Sequence, residues 1–405
     1  MKVKKSSMKV GIFIDDFFDD RGFNSEIKYY YNLLNNYEDI DLYVYNFGKN
    51  YKSQKNIVNI SGNTLSKLFK LISYMKTFNS VTVVNGIMGK NQIIIYIALL
   101  ISQKKFISIS ASQVTKYNLE NKLFYEDPDI SSLTLKKELF NNRKLLIKRI
   151  APVLKKIYLK TIGYLVIKRA SRVIHSSNFE KIQFKRLVKI KSKSTILFPP
   201  NMPNDKVEAI NNYRNDNYYK KFNLHKKINI IYWGRIDYSI KGLDRILYAL
   251  HNTNNKKLII HFMGPNYNDG LKNLLKLKSD LSLNNMIIHS KDEWLGNISP
   301  FINADYSILS SRWDGFPRSL RESLEYQVPI ICSIETNFAD ICRKFQCGIS
   351  FKNKNELIKI FNNVSKSQSQ NLKRNCYDAS SFLDGERYKN NIRFILQETY
   401  ESSRT

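Results

Sequence analysis

Acidic residues, cysteines and long apolar runs are all scarce in this sequence. Its 405 residues hold 35 Asp and Glu against 65 Lys and Arg, a formal net charge of +30. So basic a chain favours anionic partners: nucleic acid, anionic lipid or phosphate-bearing substrates. No RNA- or DNA-binding motif accompanies the charge, which sets nucleic acid aside. Only four cysteines occur, Cys332, Cys342, Cys347 and Cys376. They form no C-x-x-C pair and have no histidine cluster nearby, which argues against structural zinc and for reduced thiols. No stretch of 18 apolar residues exists. The longest, residues 93–101, has nine and reads as a buried core helix rather than a membrane span. The opening Met1-Lys-Val-Lys-Lys lacks the apolar core and small-residue site of a signal peptide. A cytoplasmic protein is expected. Internal repeats and low-complexity segments are absent.

A length of 405 residues suits two domains of roughly 200 each. Strand-like runs at 9–14, 41–45, 81–84 and 106–109 alternate with helical patterns, which argues for a parallel α/β sheet. Phe198-Pro-Pro-Asn-Met-Pro203 breaks the chain, and 204–227 is polar. The expected organisation is a first domain over 1–203, a linker over 204–227 and a second α/β domain over 228–385. A closing helix over 386–400 has Tyr388, Ile392, Leu396 and Tyr400 at four-residue intervals. Between 143 and 193 lie sixteen Lys or Arg and one acid, Glu180. Ile150, Leu154, Ile157, Tyr158 and Leu165 follow helical spacing there. The segment reads either as a core helix with a solvated basic face or as a surface for anionic lipid.

Two stretches of the second half carry chemistry. In the first, the apolar run 306–309 is followed by Ser310-Ser-Arg-Trp-Asp-Gly-Phe-Pro317 and a helical pattern marked by Leu320 and Leu324. Pro317 suits the first turn of a helix ending near Gln327, and 330–332 begins the next strand. A helix N-terminus at the carboxyl end of a parallel strand offers free N–H groups and a positive dipole end, a ready site for a diphosphate. Asp314 and Glu322 frame it. Their spacing of eight, about two helical turns, suits a pair of carboxylates for sugar and ribose hydroxyls. An ordinary amphipathic helix with solvated acids has the same spacing. In the second stretch, the strand-like 228–233 runs into Gly234-Arg235, five residues, then Lys241-Gly242 and a helix with Leu243, Ile246, Leu247 and Leu250 on one face. Two cations in a strand-to-helix loop can neutralise a diphosphate, Arg by a fork and Lys as a point charge.

Together these stretches resemble the family-4 retaining glycosyltransferases of the GT-B fold, among the glycosyl transferases group 1. The matching residues are Gly234-Arg235…Lys241-Gly242 and Ser311-Arg312-Trp313-Asp314-Gly315-Phe316…Glu322-Ser323. The likeness is strong over about 228–350. It departs at Asp314, where the family has Glu, one methylene longer. The resemblance implies an α/β GT-B fold, two Rossmann-like domains facing across a cleft, the first for the acceptor and the second for the nucleotide-sugar donor. It implies sugar transfer with retention to a glycan or lipid-linked acceptor in surface polysaccharide synthesis. Arg235 and Lys241 would stabilise the leaving diphosphate, Glu322 the ribose and Asp314 a donor-sugar hydroxyl. Gly22, Gly234, Gly315 and Phe316 would contact the donor through backbone. Neither cofactor nor metal is implied. Asp15-Asp16-Phe17-Phe18-Asp19 fits poorly the acid spacings that hold Mg²⁺ in metal-dependent transferases and aspartyl phosphatases. The family's histidine after the 106–109 strand has no counterpart here, and His175 reads as a core or edge residue. Lipid-linked acceptors and the basic segment point to an anionic membrane surface as a partner. Two other readings remain open: a nucleotide-sugar epimerase of the GT-B fold, and a nonenzymatic basic scaffold with a residual nucleotide-sugar site.

Overall fold

In a computed structural model of the chain, the described residues are 8–14, 29, 31–47, 56–77, 80–85, 90–103, 106–109, 164–188, 193–201, 226–238, 240–267, 269–289, 304–312 and 314–402. They divide into two compact units, residues 1–198 with 385–405, and residues 199–384.

The first unit is built on a seven-stranded, all-parallel sheet. Its strands are β1 (Met8–Ile14), β2 (Ile40–Asn46), β3 (Ile57–Asn59), β4 (Ser80–Asn85), β5 (Phe106–Ile109), β6 (Arg172–His175) and β7 (Ser194–Ile196), in the order β3-β2-β1-β4-β5-β6-β7. Its helices among the described residues include α1 (Thr64–Thr77), α2 (Lys90–Ser102), α3 (Tyr164–Lys168) and α4 (Asn178–Val188). Strand residues alternate between two cores, as a period of two requires. Phe13, Tyr45 and Phe106 pack on one face with Leu71 and Met75 of α1 and Ile94 and Tyr96 of α2. Val10, Ile12, Val44, Ile107 and Ile174 pack on the other. The nine-residue apolar run is therefore α2, buried through Ile94, Ile95, Tyr96, Ala98 and Leu99.

The second unit repeats the plan with six parallel strands in the order β10-β9-β8-β11-β12-β13. They are β8 (Ile228–Trp233), β9 (Leu258–Met263), β10 (Met286–Ile288), β11 (Tyr306–Leu309), β12 (Ile330–Ser333) and β13 (Gly348–Phe351). The helices are α5 (Leu243–His251), α6 (Gly270–Asp280), α7 (Arg318–Glu325), α8 (Ala339–Phe345), α9 (Lys354–Asn363) and α10 (Lys366–Phe382). Covered on both faces, β11 and β12 are buried at every residue, which is why they read as mostly apolar runs broken only by Ser307 and Ser333. From β8 the chain winds outward through β9 and β10, then returns to place β11 on the other side of β8. The connections leaving β8 and β11 lead to opposite sides of the sheet at this reversal, the place where doubly wound sheets take ligands.

The last helix, α11 (Gly385–Glu401), returns to the first unit. Tyr388, Ile392, Ile395 and Leu396 enter the core of Val10, Ile12 and Val44. Arg393 reaches Asp39 at 2.7 Å, and Arg172 reaches Glu398 at 2.6 Å.

Several boundaries differ from the sequence expectation. Pro199–Asn201 belong to the second unit, because the Asn201 N–H donates to the Leu383 carbonyl at 2.7 Å and the Arg321 guanidinium donates to the Pro200 carbonyl. The polar stretch 204–225 lies outside the described residues. Pro317 precedes α7 in an extended conformation instead of sitting in its first turn. The same helix ends at Glu325, two residues early, because Gln327 adopts a positive φ of 55°. No helix among the described residues is long and apolar enough to cross a membrane.

Candidate active site

β8 ends at Trp233, and Gly234, at φ +155°, turns the chain out of the sheet. Arg235 follows, half-exposed. Its guanidinium lies 4.2 Å from the centre of the Tyr267 ring and 3.4 Å from the Asp237 carboxylate. The Arg235 carbonyl accepts from the Tyr232 hydroxyl at 2.6 Å, and burial raises the pKa of that phenol, so it stays a donor. The loop closes at Gly242, in the left-handed region at φ +61°. A Cβ there would run into the Ser310 carbonyl oxygen, so only glycine lets the loop after β8 lie against the loop after β11. Ser310 completes the contact by donating to the Lys241 and Gly242 carbonyls at 2.9 and 2.7 Å.

This close approach joins residues distant in sequence. Lys241 Nζ stands 2.5 Å from Asp314 Oδ2, both side chains being mostly buried. The Asp314 carboxylate also accepts the Gly315 N–H at 2.9 Å. Its backbone is pinned by Asn337, whose amide donates to the Asp314 carbonyl at 2.6 Å, and by the Glu335 carbonyl, which accepts the Asp314 N–H at 3.0 Å. Burial raises the pKa of the Glu335 carboxyl itself. Arg312 forks onto Asp244 at 2.6 and 2.5 Å, a buried ion pair that ties the loop after β11 to the start of α5.

Glu322 lies in the second turn of α7, held between the Trp233 indole N–H and Arg318 Nε, each at 2.9 Å. Trp233 thereby links the carboxyl end of β8 to α7. No side chain caps α7, so its first N–H groups and its positive dipole end are available to an anion. Phe316 packs its ring on Phe338 with centroids 4.7 Å apart and anchors the turn to the core.

Of the residues expected from sequence, Gly234, Arg235, Lys241, Asp314, Gly315, Phe316 and Glu322 all lie on the loops leaving β8 and β11 or on α7. The Gly315 N–H faces Asp314 rather than standing open. Gly22 and the acidic Asp15, Asp16 and Asp19 lie outside the described residues, as does 143–163 of the basic segment. Among the described residues, no group of three or more His, Cys, Asp or Glu is placed to hold a metal ion. His175 is a core residue, its ring 5.1 Å from that of Phe184, and burial lowers its pKa to about 3. All four cysteines are free and buried. Trp233, Asp237, Tyr267 and Asn337 position the expected residues and went unrecognised. Only Asp237, two residues from Arg235, had a local signal.

Residues 214–380 match the family described as glycosyl transferases group 1. No curated protein sequence matches the chain. Among solved structures, the chain is similar to sucrose-phosphate synthase of Thermosynechococcus elongatus (TM-score 0.67, 11% identity, 98% of this chain and 100% of that one). It is similar also to WaaG, a glycosyltransferase involved in lipopolysaccharide biosynthesis (TM-score 0.58, 12% identity, 96% and 99%). A third is HepE of Anabaena in complex with UDP (TM-score 0.63, 12% identity, 96% and 100%). The two Rossmann-like sheets and these likenesses give the GT-B fold, and residues 214–380, within the second domain, are similar to the glycosyl transferases group 1 family.

Proposed function

We propose that the protein transfers a sugar from a nucleoside diphosphate sugar to a hydroxyl of a glycan or lipid-linked acceptor, with retention at the anomeric carbon. One observation carries this reading. At the topological reversal of the second sheet, Lys241 and Asp314 meet on the loops leaving adjacent strands, beside Arg235 and the uncapped start of α7. The cations and helix end sit where a departing diphosphate gathers charge, and the carboxylates of Asp314 and Glu322 accept from sugar and ribose hydroxyls. In the reaction, the bond between the anomeric carbon and the diphosphate oxygen breaks. The acceptor oxygen bonds to the same face of that carbon, and its proton passes to the departing phosphate oxygen. Arg235 and Lys241 stabilise the anion left behind. Their carboxylate partners, Asp237 and Asp314, hold both cations in place before donor arrives, so little reorganisation is needed during reaction.

Transfer is expected without added metal, since Arg235, Lys241 and the helix end neutralise the diphosphate. A panel of nucleotide sugars, with release of nucleoside diphosphate as the readout, tests this with and without EDTA. Turnover of at least one donor in EDTA supports the reading. Release only when Mg²⁺ or Mn²⁺ is restored would shift the chemistry to the acidic loop at Asp15, Asp16 and Asp19. Interconversion of donor sugars without transfer would favour an epimerase. An anionic membrane surface and a role in surface polysaccharide synthesis complete the proposal. The basic composition supports the anionic surface, together with an α1 that carries Lys67, Lys70 and Lys76 and no acid.

A further inference from the structure

A cavity of about 810 Å³ opens at the amino ends of β8 and β9. This is the edge of the second sheet opposite the loops that carry Arg235 and Lys241. Four lysines line it. Lys226 precedes β8, Lys256 and Lys257 precede β9, and Lys366 begins α10. Among the described residues, Lys226, Lys256 and Lys257 have no acidic partner. Lys366 stands 4.0 Å from Asp305, whose same carboxylate oxygen also accepts the Asn229 N–H at 2.8 Å. Four lysines around one concavity make it positive, and the concave wall concentrates that potential. The positive end of the 17-residue α10, with no acid in its first turn, adds to that potential. An arrangement so poor in acid is relieved by a bound anion.

The rest of the lining narrows the class of anion. Asn254 and Asn362 present amides to the same cavity. The Asn362 side-chain oxygen accepts both the Thr253 hydroxyl and the Asn254 N–H at 2.8 Å, which fixes the orientation of its amide and leaves the NH₂ as a donor. Amides beside ammonium groups suit a ligand carrying hydroxyls as well as charge. The volume is that of a small-molecule site. A phosphate monoester, with close to two negative charges at neutral pH, matches several lysines better than a single carboxylate does.

We propose that this cavity binds a phosphorylated sugar or polyol, separately from the candidate donor site and independently of the glycosyl-transfer reading. The ligand is either a free sugar phosphate or the headgroup of a phosphorylated lipid. The full chain is titrated calorimetrically with glucose 6-phosphate and mixed with phosphatidylcholine vesicles containing phosphatidylinositol 4-phosphate. Saturable binding of either probe is expected. It should weaken about tenfold or more in the Lys256→Gln/Lys257→Gln pair and persist in Arg235→Ala/Lys241→Ala. Response to glucose 6-phosphate identifies the free compound, and response to the vesicles alone identifies the headgroup. The lysines are surface residues, and thermal unfolding checks that the variants stay folded. If the pair unfolds, Lys226→Gln with Lys366→Gln replaces it. Failure of both probes to saturate would overturn the proposal. So would unchanged binding in the lysine variants, loss in Arg235→Ala/Lys241→Ala, or equal binding of inorganic sulfate.

Discussion

Lys241 and Asp314 are 73 residues apart, and a 2.5 Å hydrogen bond joins them. Each was legible in the sequence as part of a short motif. Their pairing was not, because it depends on β8 and β11 being neighbours and on Gly242 lying against the Ser310 carbonyl. At position 314, where the resembling family has glutamate, the shorter aspartate reaches Lys241 directly. The grip of Trp233 on Glu322 was illegible for the same reason, since nothing local marks a strand-end tryptophan as the partner of a carboxylate 89 residues away. Gly242 has a sharp consequence. Gly242→Ala combines a left-handed φ with a collision against backbone that cannot rotate away. It should destabilise the second domain by about 1–3 kcal/mol, read as a lowered urea midpoint, and should separate Lys241 from Asp314. An unchanged midpoint would show that the two loops are not in contact.

At the scale of elements, most buried strands were readable, while the short β3 and β7 were missed. β8 was placed to the residue, because six apolar-rich positions end at a glycine. β3 and β7, three residues each and only partly buried, have no periodicity to read. α7 begins after Pro317 because an extended proline launches it, and it ends early because Gln327 takes a left-handed turn; neither choice leaves a mark in hydrophobic spacing. α1 is the described element most suited to a membrane surface. Leu65 and Phe69, four residues apart, are 65% and 67% exposed, while Leu68 and Ile72 pack inward. Lys67 and Lys70 stand among them. If α1 meets anionic lipid, the protein should sediment with vesicles containing phosphatidylglycerol and not with neutral ones. Leu65→Ser/Phe69→Ser should weaken that binding, and salt well above the physiological level should release it. Equal sedimentation with neutral and anionic vesicles would remove the membrane from the account.

For the whole molecule, the excess of base leaves folding to the apolar cores of two domains of similar design, and each domain buries histidine. His175 lies in β6 of the first domain. His261 lies in β9 of the second, its Nδ1 3.1 Å from Nε2 of His289. Burial lowers the pKa of His175 and that of His261 to about 3, against roughly 6.5 in an unfolded chain. The unfolded state therefore binds more protons between those limits. The stability contribution is complete above about pH 6.5 and is lost as pH falls toward 3, at up to about 1.4 kcal/mol per pH unit for each histidine. The melting temperature should fall between pH 7 and pH 5, and His175→Gln or His261→Gln should make that slope shallower. A slope unaltered by both substitutions would place the acid sensitivity elsewhere.

The two-domain α/β plan was legible from alternation of strand and helix, and the loops after β8 and β11 stood out through two motifs. The basic cavity at the opposite edge of the second sheet was not, since its lysines come from three separate segments of a lysine-rich chain. The central claim is that the loops leaving β8 and β11 hold the diphosphate of a sugar donor. Its most direct test is kcat/KM for sugar transfer in Arg235→Ala and Lys241→Ala, with exposed Lys272→Ala on α6 as the control. Each of the first two should lose on the order of 10²-fold or more, the scale for removing one preorganised charge stabiliser, and remain folded because the loop is polar. Lys241→Arg should not restore the full rate, because a planar fork replaces a compact ammonium. Lys272→Ala should stay near the parent rate. If Arg235→Ala, Lys241→Ala and Lys272→Ala gave the same kcat/KM, the diphosphate would not lie on these loops.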